Sequence, residues 1–340
     1  MITFAKFTIS VHHSSLNLFR TELSPAISDW KITHKSQILS VGSCFAENIG
    51  ARLSAAKFPL VLNPFGIVYN PISVENALNH LIDNQQITKE DVFFHKERYH
   101  SFSHHSRFSH SDENICLQQI NTAIQTGHEQ FRQTDVLLVT LGTAHVFFHK
   151  HLKRVVNNCH QLPANDFERR LLHVNEIGRS LAGTFKLMKI LRSNIRIILT
   201  ISPVRHIRDG LQESKLSKSI LRVAADELCG AFNFVEYFPS YEIMLDDLRD
   251  YRFYAPDMVH PNEVAVDYIW QKFSDSYFDG NTKQLIQQTQ KLRQAMQHRP
   301  FNPDSEAHQA FLAKHLQMAK DIKKTHPHLD MEDELSYFSS

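Results

Sequence analysis

The sequence predicts an α/β chain, a three-layer doubly wound parallel sheet with helices on both faces, and three observations predict it. Four short runs rich in β-branched residues or phenylalanine recur at 37–41, 135–141, 195–201 and 231–237. Runs that are apolar nearly throughout, rather than alternating, belong to strands covered on both faces. Amphipathic helical patterns separate them, the alternation expected of an open α/β sheet. Finally, the three strongest runs end in Gly42-Ser43, Gly142-Thr143 and Ser202-Pro203-Val204-Arg205-His206, turns at the carboxyl ends where such sheets collect ligands.

In chain order, the first strand passes through Gly42-Ser43 into a helical pattern over 46–56, and a shorter fifth strand candidate at 58–62 ends at Asn63-Pro64. Helices are predicted over 74–83, 175–192 and 215–229 from apolar residues at helical spacing. Beyond residue 278 the composition turns to glutamine and lysine, breaks over 298–305 and resumes a helical pattern over 306–325. The chain therefore divides into an N-terminal extension (1–18), an α/β domain (19–278) and a helical C-terminal appendage (279–340) that packs on the core or reaches a partner, a route to oligomers. Its acidic last stretch, 329–340, is expected to fray.

The 340 residues, 42% of them hydrophobic, suffice for one large core. Lysine plus arginine at 37 against aspartate plus glutamate at 36 leaves a net charge of +1, so no overall field recruits nucleic acid. No run approaches the roughly 18 to 20 consecutive apolar residues of a membrane span. The N-terminus lacks a basic segment ahead of an apolar run, so a cytoplasmic location is expected. Four scattered cysteines, Cys44, Cys116, Cys159 and Cys229, fit reduced thiols. Residues 95–110, which hold five of the 22 histidines, read as a solvated loop rather than a metal site, and neither metal nor cofactor is expected.

Three residues carry a candidate chemistry. Ser43 sits where a strand becomes a helix, so free N–H groups and the helix dipole favour negative charge beside it, half an oxyanion hole. The same position suits a plain N-cap. Asp257 and His260, flanked by Pro256 and Pro261, have the spacing by which a carboxylate orients an imidazole. Pro261 is expected in the first turn of the helix that follows. Arg205 and His206, directly after a strand, overhang the same crevice as candidate substrate contacts. Cys44 offers a second nucleophile, a thiol at a helix N-terminus with Ser43 as its cap.

The run Gly42-Ser43-Cys44-Phe45-Ala46 resembles the signature of the bacterial GSCFA-domain family, within the SGNH/GDSL esterase-lipase group. Asn63-Pro64-Phe65-Gly66, Asn70-Pro71, Leu141-Gly142-Thr143, Ser202 to His206 and Asp257 to Pro261 are similar to its other motifs, over roughly residues 19 to 275. The resemblance implies an SGNH-hydrolase-like, flavodoxin-like fold with Ser43 as nucleophile, His260 as general base and acid, Asp257 as orienter and Gly66 as an oxyanion donor. At the position of the group's oxyanion asparagine stands Ala144, for which Thr143, Asn63 or Asn70 is the candidate replacement; Asn70 is also a candidate substrate contact. The implied activity is a serine esterase, hydrolase or acyltransferase on a small acyl ester, by analogy of fold on a carbohydrate, through acyl-Ser43. The alternative is a weak or inactive binding module that recognises a glycan or a protein partner.

Overall fold

The computed structural model describes residues 21–339. The expected extension over 1–18 lies outside the described residues. The chain runs through β1 (Ile38–Gly42), α1 (Cys44–Ala55), β2 (Leu60–Leu62), α2 (Pro71–Asp83), β3 (Val92–His95), β4 (Arg98–Ser101), α3 (Glu113–Gln133) and β5 (Val136–Leu141). It continues through β6 (His145–His149), β7 (Arg154–Val156), β8 (Phe167–Leu171), α4 (Val174–Leu191), β9 (Arg196–Ile201), α5 (Leu211–Ala231), β10 (Val235–Phe238), α6 (Ser240–Glu242) and α7 (Glu263–Tyr277). Three helices close it: α8 (Gly280–Gln297), α9 (Glu306–Thr325) and α10 (Glu332–Ser339).

Five parallel strands form the central sheet in the order β10-β9-β5-β1-β2. Every residue of β1 and β5 is buried, as their unbroken apolar runs require. Helices α2 to α5 cover one face through a core that includes Leu78, Ile120, Phe185 and Leu221. Helices α1 and α7 cover the other through Phe45, Leu53, Ile269 and Phe273. The chain winds outward from β1 to β2 and then in the opposite direction from β5 to β10. The reversal opens a crevice beyond the carboxyl ends of β1 and β5, where ligands bind in open sheets of this kind.

Three features differ from the sequence-based expectation. Residues 95–110 are not a solvated loop: β3 and β4 pair as an antiparallel hairpin, and His100 and His104 are buried at 9% and 1% exposure. A second antiparallel sheet, β7-β6-β8, adjoins it, and Phe102 of the segment after β4 packs with Val156 and Phe167. The C-terminal stretch does not fray, because Leu329, Met331 and Phe338 are buried among α8, α9 and α10, and Glu334 pairs with Lys57 at 2.9 Å. No helix among the described residues is long and apolar enough to cross a membrane.

Candidate active site

Gly142, just after β5, brings its turn close against the Gly42-Ser43 turn. A Cβ there would lie 2.8 Å from Tyr69 Cβ and 3.3 Å from Ser43 Cβ, so only glycine permits this approach. The Ser43 N–H donates to the Thr140 carbonyl at 3.0 Å, which pins the start of α1 against β5. Ser43 is the N-cap, extended at φ −70° and ψ 177°, and its hydroxyl turns back to accept from the Phe45 N–H at 3.4 Å. It is 3% exposed. Cys44 is the first helical residue, and side chains there lean toward the helix N-terminus, in this case toward the crevice.

His260 meets that thiol. Its Nε2 lies 3.7 Å from Cys44 Sγ, and its Nδ1 lies 2.7 Å from Asp257 Oδ2. The Asp257 carboxylate also accepts the backbone N–H groups of Val259 (2.9 Å) and His260 (3.0 Å) through Oδ1. Those bonds, the His260 backbone N–H foremost, hold its pKa down to about 2, so it accepts only. Nδ1 must therefore donate to it, and in that tautomer the Nε2 lone pair faces the sulfur. Pro261 precedes the N-cap, Asn262, instead of sitting in the first turn; it bridges to Tyr254 while Asn262 Oδ1 accepts from Ala265. The loop is braced from β9 by the Arg205 N–H on the Val259 carbonyl (3.2 Å) and by the Arg205 guanidinium 3.9 Å from the Tyr254 ring centre.

The predicted residues fall into two groups. Asp257, His260 and Cys44 come together, and Ser43 is beside them with its hydroxyl directed at its own helix. Among the described residues the hydrogen-bonding partner of His260 Nε2 is the Cys44 sulfur. Asn63 stands next to the turn: its Oδ1 accepts the Gly42 N–H at 2.8 Å, and its buried Nδ2 has no partner among the described residues. The others are engaged elsewhere. The Gly66 N–H donates to the Asn63 carbonyl at 2.7 Å, and at φ +75° this glycine packs against His105. Thr143 Oγ1 shares a hydrogen bond with Ser217 Oγ at 2.9 Å and accepts the His145 N–H. Asn70 caps α2, bonded to Ser73 through both side-chain polar atoms. His206 lies over Tyr69, ring centres 6.3 Å apart.

One residue at the site was not anticipated. Lys218 of α5 is 2% exposed, and its Nζ donates at 2.6 Å to each of the Gly142 and Ser202 carbonyls, which tie off β5 and β9. Burial lowers its pKa to about 7, an effect that the nearby Cys44 thiol opposes. Burial likewise pushes the Cys44 pKa up, whereas the Lys218 cation and the N–H groups of Cys44 and Phe45 pull it down. The available signal was positional: Ser214, Lys218, Leu221 and Ala225 recur along one helical stripe, and all are buried.

A thiol facing a carboxylate-oriented imidazole, at the switch point of a parallel α/β sheet, is the arrangement that the fold sets before any ligand. Residues 37–273, well over half of the chain, match the GSCFA family, so the chain belongs to that family. Residues 289–340 match the GSCFA domain protein, C-terminal domain. No curated protein matches the chain.

Proposed function

We propose that this protein transfers acyl groups, as a hydrolase or an acyltransferase on a small acyl ester, through a covalent intermediate on Cys44. The 3.7 Å approach of His260 Nε2 to Cys44 Sγ carries this reading, with Asp257 bound to the other ring nitrogen. It keeps the expected chemistry and moves the nucleophile one residue along the chain. The strand order and the position of the site at the switch point support the SGNH-like reading of the fold.

In the proposed reaction His260 Nε2 takes the thiol proton and the thiolate attacks the ester carbonyl carbon. The oxyanion of the tetrahedral intermediate is met by the Cys44 N–H, one of the first-turn donors that have no helical acceptor, and by Asn63 Nδ2. Collapse breaks the bond to the alkoxide, which leaves with the proton from His260. Water or an acceptor hydroxyl then gives its proton to His260 and attacks the thioester, releasing the acyl group and returning the thiol.

The test is acylation by p-nitrophenyl acetate, read by intact mass and peptide mapping. The expected result is one acetyl group on Cys44, retained in Ser43→Ala and lost in Cys44→Ala. An acetyl group mapped to Ser43, or none on folded protein, would overturn the assignment. The binding-module alternative gains from one observation, the raised pKa of the half-buried Cys44 thiol, and total absence of acylation would favour it.

A further inference from the structure

Asp257 and His260 hang from one turn, and that turn bends at a residue ill suited to it. Met258 adopts left-handed backbone at φ 58°, a region that is costly for any residue with a Cβ and persists where surrounding contacts enforce it. Around this bend the Val259 and His260 N–H groups come back onto Asp257 Oδ1, which leaves Oδ2 for the imidazole. The Met258 N–H donates to the Ala255 carbonyl at 2.9 Å, and the Ala255 N–H donates to the His260 carbonyl at 2.7 Å. The Met258 side chain is 46% exposed, so its own packing does little to hold the bend.

Arg205 supplies contacts that enforce it. Its backbone N–H donates to the Val259 carbonyl at 3.2 Å, and its Nη1 reaches the Met258 carbonyl at 3.5 Å. Its guanidinium centre lies 3.9 Å from the Tyr254 ring centre and 5.1 Å from that of Tyr251. Tyr254 in turn bridges to Pro261, the residue after His260. The arginine therefore grips the loop both at its bend and where it closes. A guanidinium stacks flat on an aromatic ring in a way that an ammonium group does not.

We propose that Arg205 and Met258 form a positioning device for His260: the arginine holds a strained turn in the form that aims the imidazole at Cys44, and without the arginine the turn relaxes and the aim is lost. This rests on His260 serving as the base of Cys44, and not on what the thiol then attacks. Glycine takes φ 58° without the cost that methionine bears, so glycine at 258 makes the turn indifferent to Arg205. That dependence separates a strained turn from a plain brace.

The test is a double-mutant cycle of Arg205→Ala and Met258→Gly in the full chain, read by the rate at which iodoacetamide alkylates Cys44 as a function of pH. Arg205→Ala is expected to move the profile toward that of His260→Ala and to slow the reaction at pH 7 by about fivefold or more. In the Met258→Gly background the same removal should slow it by less than about twofold. Should Arg205→Ala not fold, Arg205→Lys, which keeps the charge but not the planar stack, carries the same prediction. A brace that only stabilises the fold would lower the melting temperature and leave the profile in place. A substrate contact would also leave it in place, and would raise KM for an ester instead. Either result in the folded arginine variant overturns the proposal, and so does a loss of the same size with methionine or glycine at 258. The expected loss and its rescue, found without acylation of Cys44 by p-nitrophenyl acetate, uphold the device and count instead against acyl transfer.

Discussion

Lys218 brings its Nζ near the Cys44 thiol, with two carbonyls as its hydrogen-bond partners among the described residues. A cation beside a thiol favours the thiolate, so Lys218→Met is expected to move the pH at which Cys44 alkylates upward. The rate of reaction with iodoacetamide against pH measures it. An unchanged midpoint in folded Lys218→Met would mean that the lysine only ties strand ends together. The neighbouring pair Ser43 and Cys44 marks how far a site can be read from sequence. That Asp257 and His260 meet this turn was legible in the motifs. Which of the two adjacent side chains faces the base was not, because N-cap and first-turn residues leave the same turn in different directions. That direction is fixed by Thr140 and Gly142, about a hundred positions away.

Among the elements, those that bury both faces announced themselves. β1, β5 and β9 fall within a residue of their apolar runs, whereas α3 gave no such signal. Its buried residues Cys116, Ile120, Ile124, Gly127 and Phe131 form a stripe one side chain wide among glutamines, too narrow to stand out. The strands β3, β4, β6, β7 and β8 were missed because each is short and its apolar run is broken by His or Arg, even where, as at His145 and His149 of β6, that residue is buried. At the other end, α10 is held by the contact of Phe338 with the core of the C-terminal helices and by the Lys57–Glu334 pair. Phe338→Ala is expected to lower stability by about 3 to 5 kcal/mol, the usual range for a buried phenylalanine. Urea unfolding checks it, and a loss below about 1 kcal/mol would show that α10 does not dock as described.

For the whole molecule, acid is the expected weakness. Burial lowers the pKa of His104 to about 3 and of His160 to about 4, from an ordinary 6.5. Below that ordinary value the unfolded chain takes up protons that the native rings refuse. Stability from these two groups is therefore full above pH 6.5 and is lost progressively as the pH falls toward 4 and 3. The melting temperature should drop between about pH 7 and about pH 4.5, and by less in His104→Gln/His160→Gln, even if that variant melts lower at pH 7. An equal drop in both proteins would assign the acid sensitivity to other groups.

Cys44 and His260 are separated by 216 positions, and the loop that bears the histidine hangs from the exit of β9. During synthesis the thiol emerges early, and the imidazole that would take its proton arrives only after nearly the whole α/β region has been made. Until α7 docks, Cys44 is an ordinary thiol. The rate at which it reacts with an alkylating agent is thus a clock for assembly: fast, base-assisted labelling would begin only when the loop that carries His260 has docked beside α1.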